Sequence, residues 1–231
     1  MITMPRPPRI IEGNTVYHIL NRANARMRIF EKEKDYFAFE KIITEAKAKY
    51  LMRILAYCLM PNHWHFILYP KGDKDLAPFM RWLTLTHTQR WLVHRNMIGY
   101  GHVYQGRYKS FPVEKDEHFL QVCRYVESNA LRAKLVNKAE DWRYGSAWIR
   151  KYGNQEQKQI LSQWPVPITK DYSAWLNKGS KESNTLNSLC SLRNSVNRGK
   201  PFGSERWIEK IAKKFRLGSA LNNRGRPRKG T

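Results

Sequence analysis

Apolar and polar positions alternate in two distinct periods along the first 130 residues. TVYHILNR (15–22) alternates and starts β-branched, which predicts a strand. In EKEKDYFAFEKIITEAKAKY (31–50), Tyr36, Phe39, Ile43, Ala46 and Tyr50 recur at steps of three and four, one face of a helix. RILAYCLM (53–60) and HWHFILYP (63–70) read as strands joined by a Pro61-Asn62 turn. The stretch 75–95 is helical, with Leu76, Met80, Leu83, His87 and Trp91 on one face and Pro78 tolerated in the first turn. Residues 101–114 predict a loop and then a strand. Asp116 can cap a helix running to about Leu131.

The order strand, helix, strand, strand, helix, strand, helix predicts an α+β fold. It suits a ferredoxin-like or RRM-like antiparallel sheet with helices on one face. The texture changes near residue 150. WPVPITKDY (164–172) reads as a linker, and helices are expected at 183–196 and 204–216, the latter with Trp207, Ile211 and Phe215 inward. Three parts are therefore expected: a domain over 1–150, a helical extension over 151–217 and a basic tail over 218–231. The tail's last residues, NNRGRPRKGT, have no apolar content and are expected to be disordered when alone.

Charge narrows the function. The formal net charge is +23, far from the balance of an ordinary metabolic enzyme, and favours a polyanionic partner, with nucleic acid first. A membrane surface is the rival, but there is no apolar run of spanning length, and MITMPRPPRI has no apolar core of a secretory leader behind its arginines. Cys58, Cys123 and Cys190 are scattered without a CxxC pair, which suits a reducing compartment.

Candidate chemistry begins at His63 and His65. On a strand they share a face, while Trp64, Phe66 and Leu68 take the other into the core. Two imidazoles at that spacing can reach one metal ion, although a pair of hydrogen-bonded strand histidines explains them equally well. Along EHFLQVCRYVESNALRAKLV (117–136), His118, Gln121, Tyr125, Asn129 and Arg132 form one polar stripe, opposite Phe119, Cys123 and Ala130. Tyr125 thus points away from the packing side, or is an ordinary half-exposed tyrosine. GHVYQGRYKS (101–110) offers His102, Tyr104, Arg107, Tyr108 and Lys109, aromatics that can stack on unpaired bases and cations that can follow phosphates. The alternative is a basic hairpin strand with its aromatics in the core.

HWH resembles the histidine–hydrophobe–histidine (HUH) motif of single-tyrosine transposases. Taken in order, YHILNRAN (17–24), AYCLMPNHWHFIL (56–68), GHVYQGRYKS, RYVESNALRAKLV (124–136) and the GRPRK tail (225–229) resemble REP-associated tyrosine transposases. The resemblance implies that His63 and His65 bind a divalent metal, Mg2+ or Mn2+, with Asn129 as third ligand and Tyr125 as nucleophile. In place of the family's usual Ile-His-Leu-Asn-Pro after the tyrosine, this chain has Val126, Glu127, Ser128, Asn129 and Ala130. It implies an endonuclease and strand transferase acting on single-stranded DNA that carries REP-type hairpins, in the bacterial cytoplasm at the nucleoid. Arg132 is expected among the DNA contacts. Arg224, Arg226, Arg228 and Lys229 resemble a minor-groove hook, or are a solvated tail acting through counterion release. A monomer is expected, with the helix-exchanging dimer of insertion-sequence relatives as the alternative. A non-catalytic DNA-hairpin or RNA-binding protein on the same fold is the competing reading.

Overall fold

The computed structural model describes residues 10–178 and 183–221. In chain order the elements are β1 (Val16–Arg22), α1 (Glu33–Tyr50), β2 (Arg53–Met60), β3 (His63–Tyr69), α2 (Leu76–His94), β4 (Lys109–Val113), α3 (Glu117–Glu127) and α4 (Asn129–Arg132). They continue with α5 (Ser146–Tyr152), α6 (Gln155–Lys158), α7 (Tyr172–Asn177), α8 (Ser183–Arg198), α9 (Glu205–Lys214) and α10 (Gly218–Leu221). The four strands form one antiparallel sheet in the order β2-β3-β1-β4. This is the ferredoxin-like arrangement the sequence pattern predicts.

The local causes are plain. Asp35, in the first turn of α1, reaches back so that its Oδ2 accepts the backbone N–H groups of Glu31 and Lys32. Arg95, just past α2, pairs with the same carboxylate at 3.0 Å and pins the two helices together. The carbonyl of Pro61 in the β2–β3 turn accepts from the amides of Ile29 and Phe30.

Helices α1 and α2 cover the face formed by Tyr17, Ile19, Tyr57, Trp64, Phe66 and Leu68. The sequence pattern accounts for that face alone. The opposite face is apolar too, through Val16, Leu20, Leu55, Cys58, Ile67 and Phe111, and it is covered by Phe119, Val122, Cys123 and Val126 of α3. The sheet is thus buried on both sides, and strands buried on both sides read as continuous apolar runs rather than alternating ones. RILAYCLM is such a run.

The C-terminal residues pack onto the same two layers. Ile211 and Phe215 join the α1–α2 side, and Leu192, Val196 and Phe202 join the α3 side. The stretch 164–172, expected as a linker, is irregular but tied down: Trp164 and Tyr172 are buried, and Trp164 Nε1–H donates to the Leu55 carbonyl at 2.7 Å. Residues after α8 add to the free edge of β4, where the Phe202 amide donates to Pro112 O at 3.0 Å and the Glu114 amide to Phe202 O at 2.9 Å. Among the described residues, no helix is long and apolar enough to cross a membrane.

Candidate active site

The site lies on the α3 side of the sheet. Register fixes its first half. Arg22 stands opposite His63 and Leu20 opposite His65 across β1 and β3, and His18 opposite Ile67. His63, His65 and His18 therefore share one face, with the two β3 rings 5.1 Å apart at 78°. His18 was not singled out from the sequence, because a lone histidine in TVYHILNR becomes informative only once strand pairing sets it beside His65. Its Nε2 lies 2.9 Å from His65 Nδ1 in a buried hydrogen bond. His63 Nδ1–H donates to Asn62 Oδ1 at 2.6 Å. A carbonyl oxygen only accepts, so this bond leaves the lone pair of His63 on Nε2.

Burial keeps all three rings neutral. It pulls His63 down to about 4, with the Arg22 charge adding to the effect, and His18 down to about 3. His65 is held well below its ordinary value by burial first, then by His18, His63, Arg132 and Arg22. Neutral imidazoles whose Nδ1 atoms engage neighbours are the form that ligates a metal through Nε2. The residues present therefore fit a divalent metal.

The second half comes from α3. Asp116 Oδ1 accepts the His118 amide at 2.9 Å and starts the helix as expected. The helix stops sooner than the sequence pattern predicts. Ser128 Oγ donates to Arg124 O at 2.6 Å, and a new turn, α4, begins at Asn129. Tyr125 is half-buried, its ring 5.8 Å from His65 and 6.2 Å from His18. The Arg132 guanidinium sits 4.2 Å over the Tyr125 ring. It donates to Tyr125 O and Ser128 Oγ at 2.8 Å each, and to Asn129 Oδ1 at 3.3 Å. Arg132, expected as a DNA contact, is thus held within this turn, and burial lowers its affinity for its proton. Asn129 Nδ2 is buried and has no hydrogen-bond partner among the described residues.

The structure brings His63, His65, Tyr125 and Arg132 together within one chain, and ties Asn129 to Arg132. Glu127 is on the far side of α3, as its helical position predicts, and is buried. His102, Arg107 and Lys109 are exposed in or beside the loop before β4, and Tyr108 is half-buried. Arg224, Arg226, Arg228 and Lys229 lie outside the described residues.

Tyr104 is not a stacking platform for bases, contrary to the expectation from GHVYQGRYKS: it is 7% exposed and packs in the α1–α2 core. Trp64 Nε1–H donates to its hydroxyl at 2.9 Å, so the hydroxyl proton goes to His87 Nδ1 at 2.6 Å. His87 accepts there, and burial lowers it from 6.5 to about 3, the nearby Asp35 charge opposing. Between those two values the unfolded chain binds a proton that the folded chain refuses. Stability is therefore complete above about pH 6.5 and falls as the pH drops, by up to about 1.4 kcal/mol per pH unit for this group. Urea midpoints should decline from pH 7 to pH 4, and decline less steeply in His87→Phe. Equal slopes in the two proteins would contradict the assignment.

A separate group, Glu114, Asp116 and His118, has ligand atoms within 4.8 Å of one another and could hold a metal ion. Its oxygens already have work: Asp116 caps α3 and accepts from His118 Nδ1, and Glu114 Oε2 accepts the Ser204 amide at 2.6 Å.

Comparison with known proteins follows the same lines. A family model described as IS200-like transposase matches residues 13–129, a span that runs from before β1 through α3 and includes His63, His65 and Tyr125. No curated protein matches the chain. Among solved structures, the chain is similar to a REP-associated tyrosine transposase bound to a REP hairpin, with a TM-score of 0.50 and 19% identity over 74% of this chain and 96% of that one. At that identity the likeness is one of fold. A candidate transposase from Deinococcus radiodurans R1 aligns with a TM-score of 0.39 and 15% identity, over 55% of this chain and 97% of that one. The match over 13–129 establishes that the chain belongs to the IS200-like transposase family, whose general work is DNA processing.

Proposed function

We propose that the protein is a metal-dependent endonuclease and strand transferase that cuts and rejoins single-stranded DNA at hairpin-forming, REP-type repeats. The observation that carries this reading is the approach of the Tyr125 ring to 5.8 Å from His65, itself 5.1 Å from His63, within one chain. The solved relative bound to a REP hairpin supports the choice of substrate. A DNA repeat as substrate puts the protein in the bacterial cytoplasm, at the nucleoid.

Tyr125 Oη attacks the phosphorus of a phosphodiester. The bond from phosphorus to the 3′ oxygen breaks, leaving a 5′-phosphotyrosine on the protein and a 3′-hydroxyl that takes up the phenolic proton. The ester is conserved, so attack by another 3′-hydroxyl reverses the step without ATP. Phenol attacks poorly unless its developing charge is met by a cation, and the Arg132 guanidinium lies over its ring. Nε2 of His63 and His65, with the Asn129 amide or water beside them, would hold Mg2+ or Mn2+, whose charge offsets that of a non-bridging phosphate oxygen. His18 acts behind His65, accepting its Nδ1–H and so turning the other nitrogen outward. Because phenol and imidazoles belong to one chain, a monomer suffices.

The test uses single-stranded hairpins from repeats flanking the coding region, labelled at either end, with Mn2+ or EDTA. A 3′-labelled strand should migrate with the protein on a denaturing gel in Mn2+ alone, and the 5′-labelled piece should run free. His18→Phe should need about 10- to 100-fold more Mn2+ for half-maximal adduct, the usual effect of removing a partner behind a metal ligand. Binding without adduct across metals and hairpins would favour a non-catalytic hairpin binder.

A further inference from the structure

Beside the histidines, a cavity of about 400 Å3 opens between β1, the loop before β4 and the end of α8. Among the described residues, Arg22, Arg107, Lys109 and Arg198 line it, and no carboxylate does. Its floor continues the histidine face: Arg22 stands opposite His63, and Lys109 pairs with Leu20, whose other neighbour is His65. Arg22 Nε is buried and lacks a hydrogen-bond partner among the described residues.

The outer wall, residues 196–199, lies beyond the part of the chain that matches the family model. This wall is built in place. Gly199 takes a φ of +73° to end α8, and the chain then pairs along β4 through the Phe202 bonds already described. Burial of Val196 and Leu192 against the α3-side core fixes the helix itself.

We propose that this cavity is a subsite for one unpaired nucleotide of the DNA strand, its phosphate held by Arg22, Lys109 and Arg198 next to the position of cleavage. Four cations without a carboxylate select an anion. The volume is near the lower end of small-ligand pockets, roughly 300–1,000 Å3, which suits one nucleotide rather than a base pair. Asn197 and Gln105, exposed on its walls, offer both donors and acceptors to a base edge. The C-terminal extension thereby completes a substrate groove whose floor belongs to the family domain. The inference rests on the DNA-binding part of the function proposed above and is independent of its cleavage step.

The test measures binding alone, in the full chain carrying Tyr125→Phe, with EDTA and fluorescein-labelled decathymidylate across a range of salt. Adding Arg198→Gln should weaken binding about tenfold and reduce the salt slope by about 0.7, the share of one phosphate contact on a single strand. Arg198→Lys should restore most of the loss. Arg206→Gln removes the same charge from an exposed position on α9 and is the control. A loss of threefold or more that the control does not share supports the subsite. A smaller loss, or an equal one in Arg206→Gln, overturns it. Should Arg198→Gln lower the melting temperature, Lys109→Gln at an exposed position reads the same contact. A protein that forms no adduct with any hairpin yet needs Arg198 for binding would refute cleavage and leave the subsite standing.

Discussion

Replacing Tyr125 with phenylalanine should reduce covalent capture of single-stranded DNA by at least about a thousandfold, since the nucleophile itself is removed. The substitution deletes a single oxygen. The ring keeps its contacts with His65 and His18 and its place under the Arg132 guanidinium. The fold and the basic groove are therefore expected to survive, and affinity for a hairpin oligonucleotide should stay within about twofold, as for most changes away from an anchoring contact. The pair of readouts matters. Loss of adduct with unchanged binding assigns the hydroxyl to chemistry, whereas parallel loss of both would indicate collapse of the α3 side. Full adduct in Tyr125→Phe would remove this tyrosine from the mechanism.

The second large effect is on stability. Glu127 is 2% exposed, two residues beyond Tyr125 and on the other side of α3. Its carboxylate accepts from Ser146 and Arg150 of α5, and from the Tyr172 hydroxyl of α7 at 2.8 Å. These three partners belong to elements outside the family-matched span, so chain beyond that span clamps the helix that carries the tyrosine. Glu127→Ala would leave the Arg150 guanidinium and two hydroxyls facing a buried gap. Breaking one side of such a pair costs about 3–5 kcal/mol, a large share of the roughly 5–15 kcal/mol that holds a typical domain together. Chemical denaturation should show this as a lower midpoint with an unchanged slope. Glu127→Gln, which keeps the shape and some hydrogen bonds, should fall between the two. A change below about 1 kcal/mol, the range of exposed ion pairs, would contradict the clamp.

The parts of this design that the sequence exposes are those written in local periodicity. His63 and His65 sit two apart in a strand, so their shared face follows from the pleat. The turn at Pro61-Asn62 and the stripes of α1 and α2 follow in the same way. What escapes is set by pairing between distant segments. His18 joins the site through the register of β1 on β3, which no window of eight residues contains. Tyr104 looks like a surface aromatic among glycines and cations, yet Trp64 and His87 from two other elements take its hydroxyl inside. The second buried face of the sheet is written in RILAYCLM, which is apolar at nearly every position, but a continuous apolar run does not identify the distant element that covers it. The break after Glu127 turns on a single serine hydroxyl bonding back to Arg124, an alternative that helical periodicity does not reveal. The role of α5 and α7 was hidden for another reason: short helices carry too few turns to show a period.

The most direct measurement is mass spectrometry of the protein after reaction with a single-stranded hairpin and Mn2+, followed by nuclease and protease digestion. The account predicts a nucleotide joined through its 5′ phosphate to the peptide containing Tyr125, at that tyrosine. A nucleotide on any other residue, or joined through a 3′ phosphate, would contradict it.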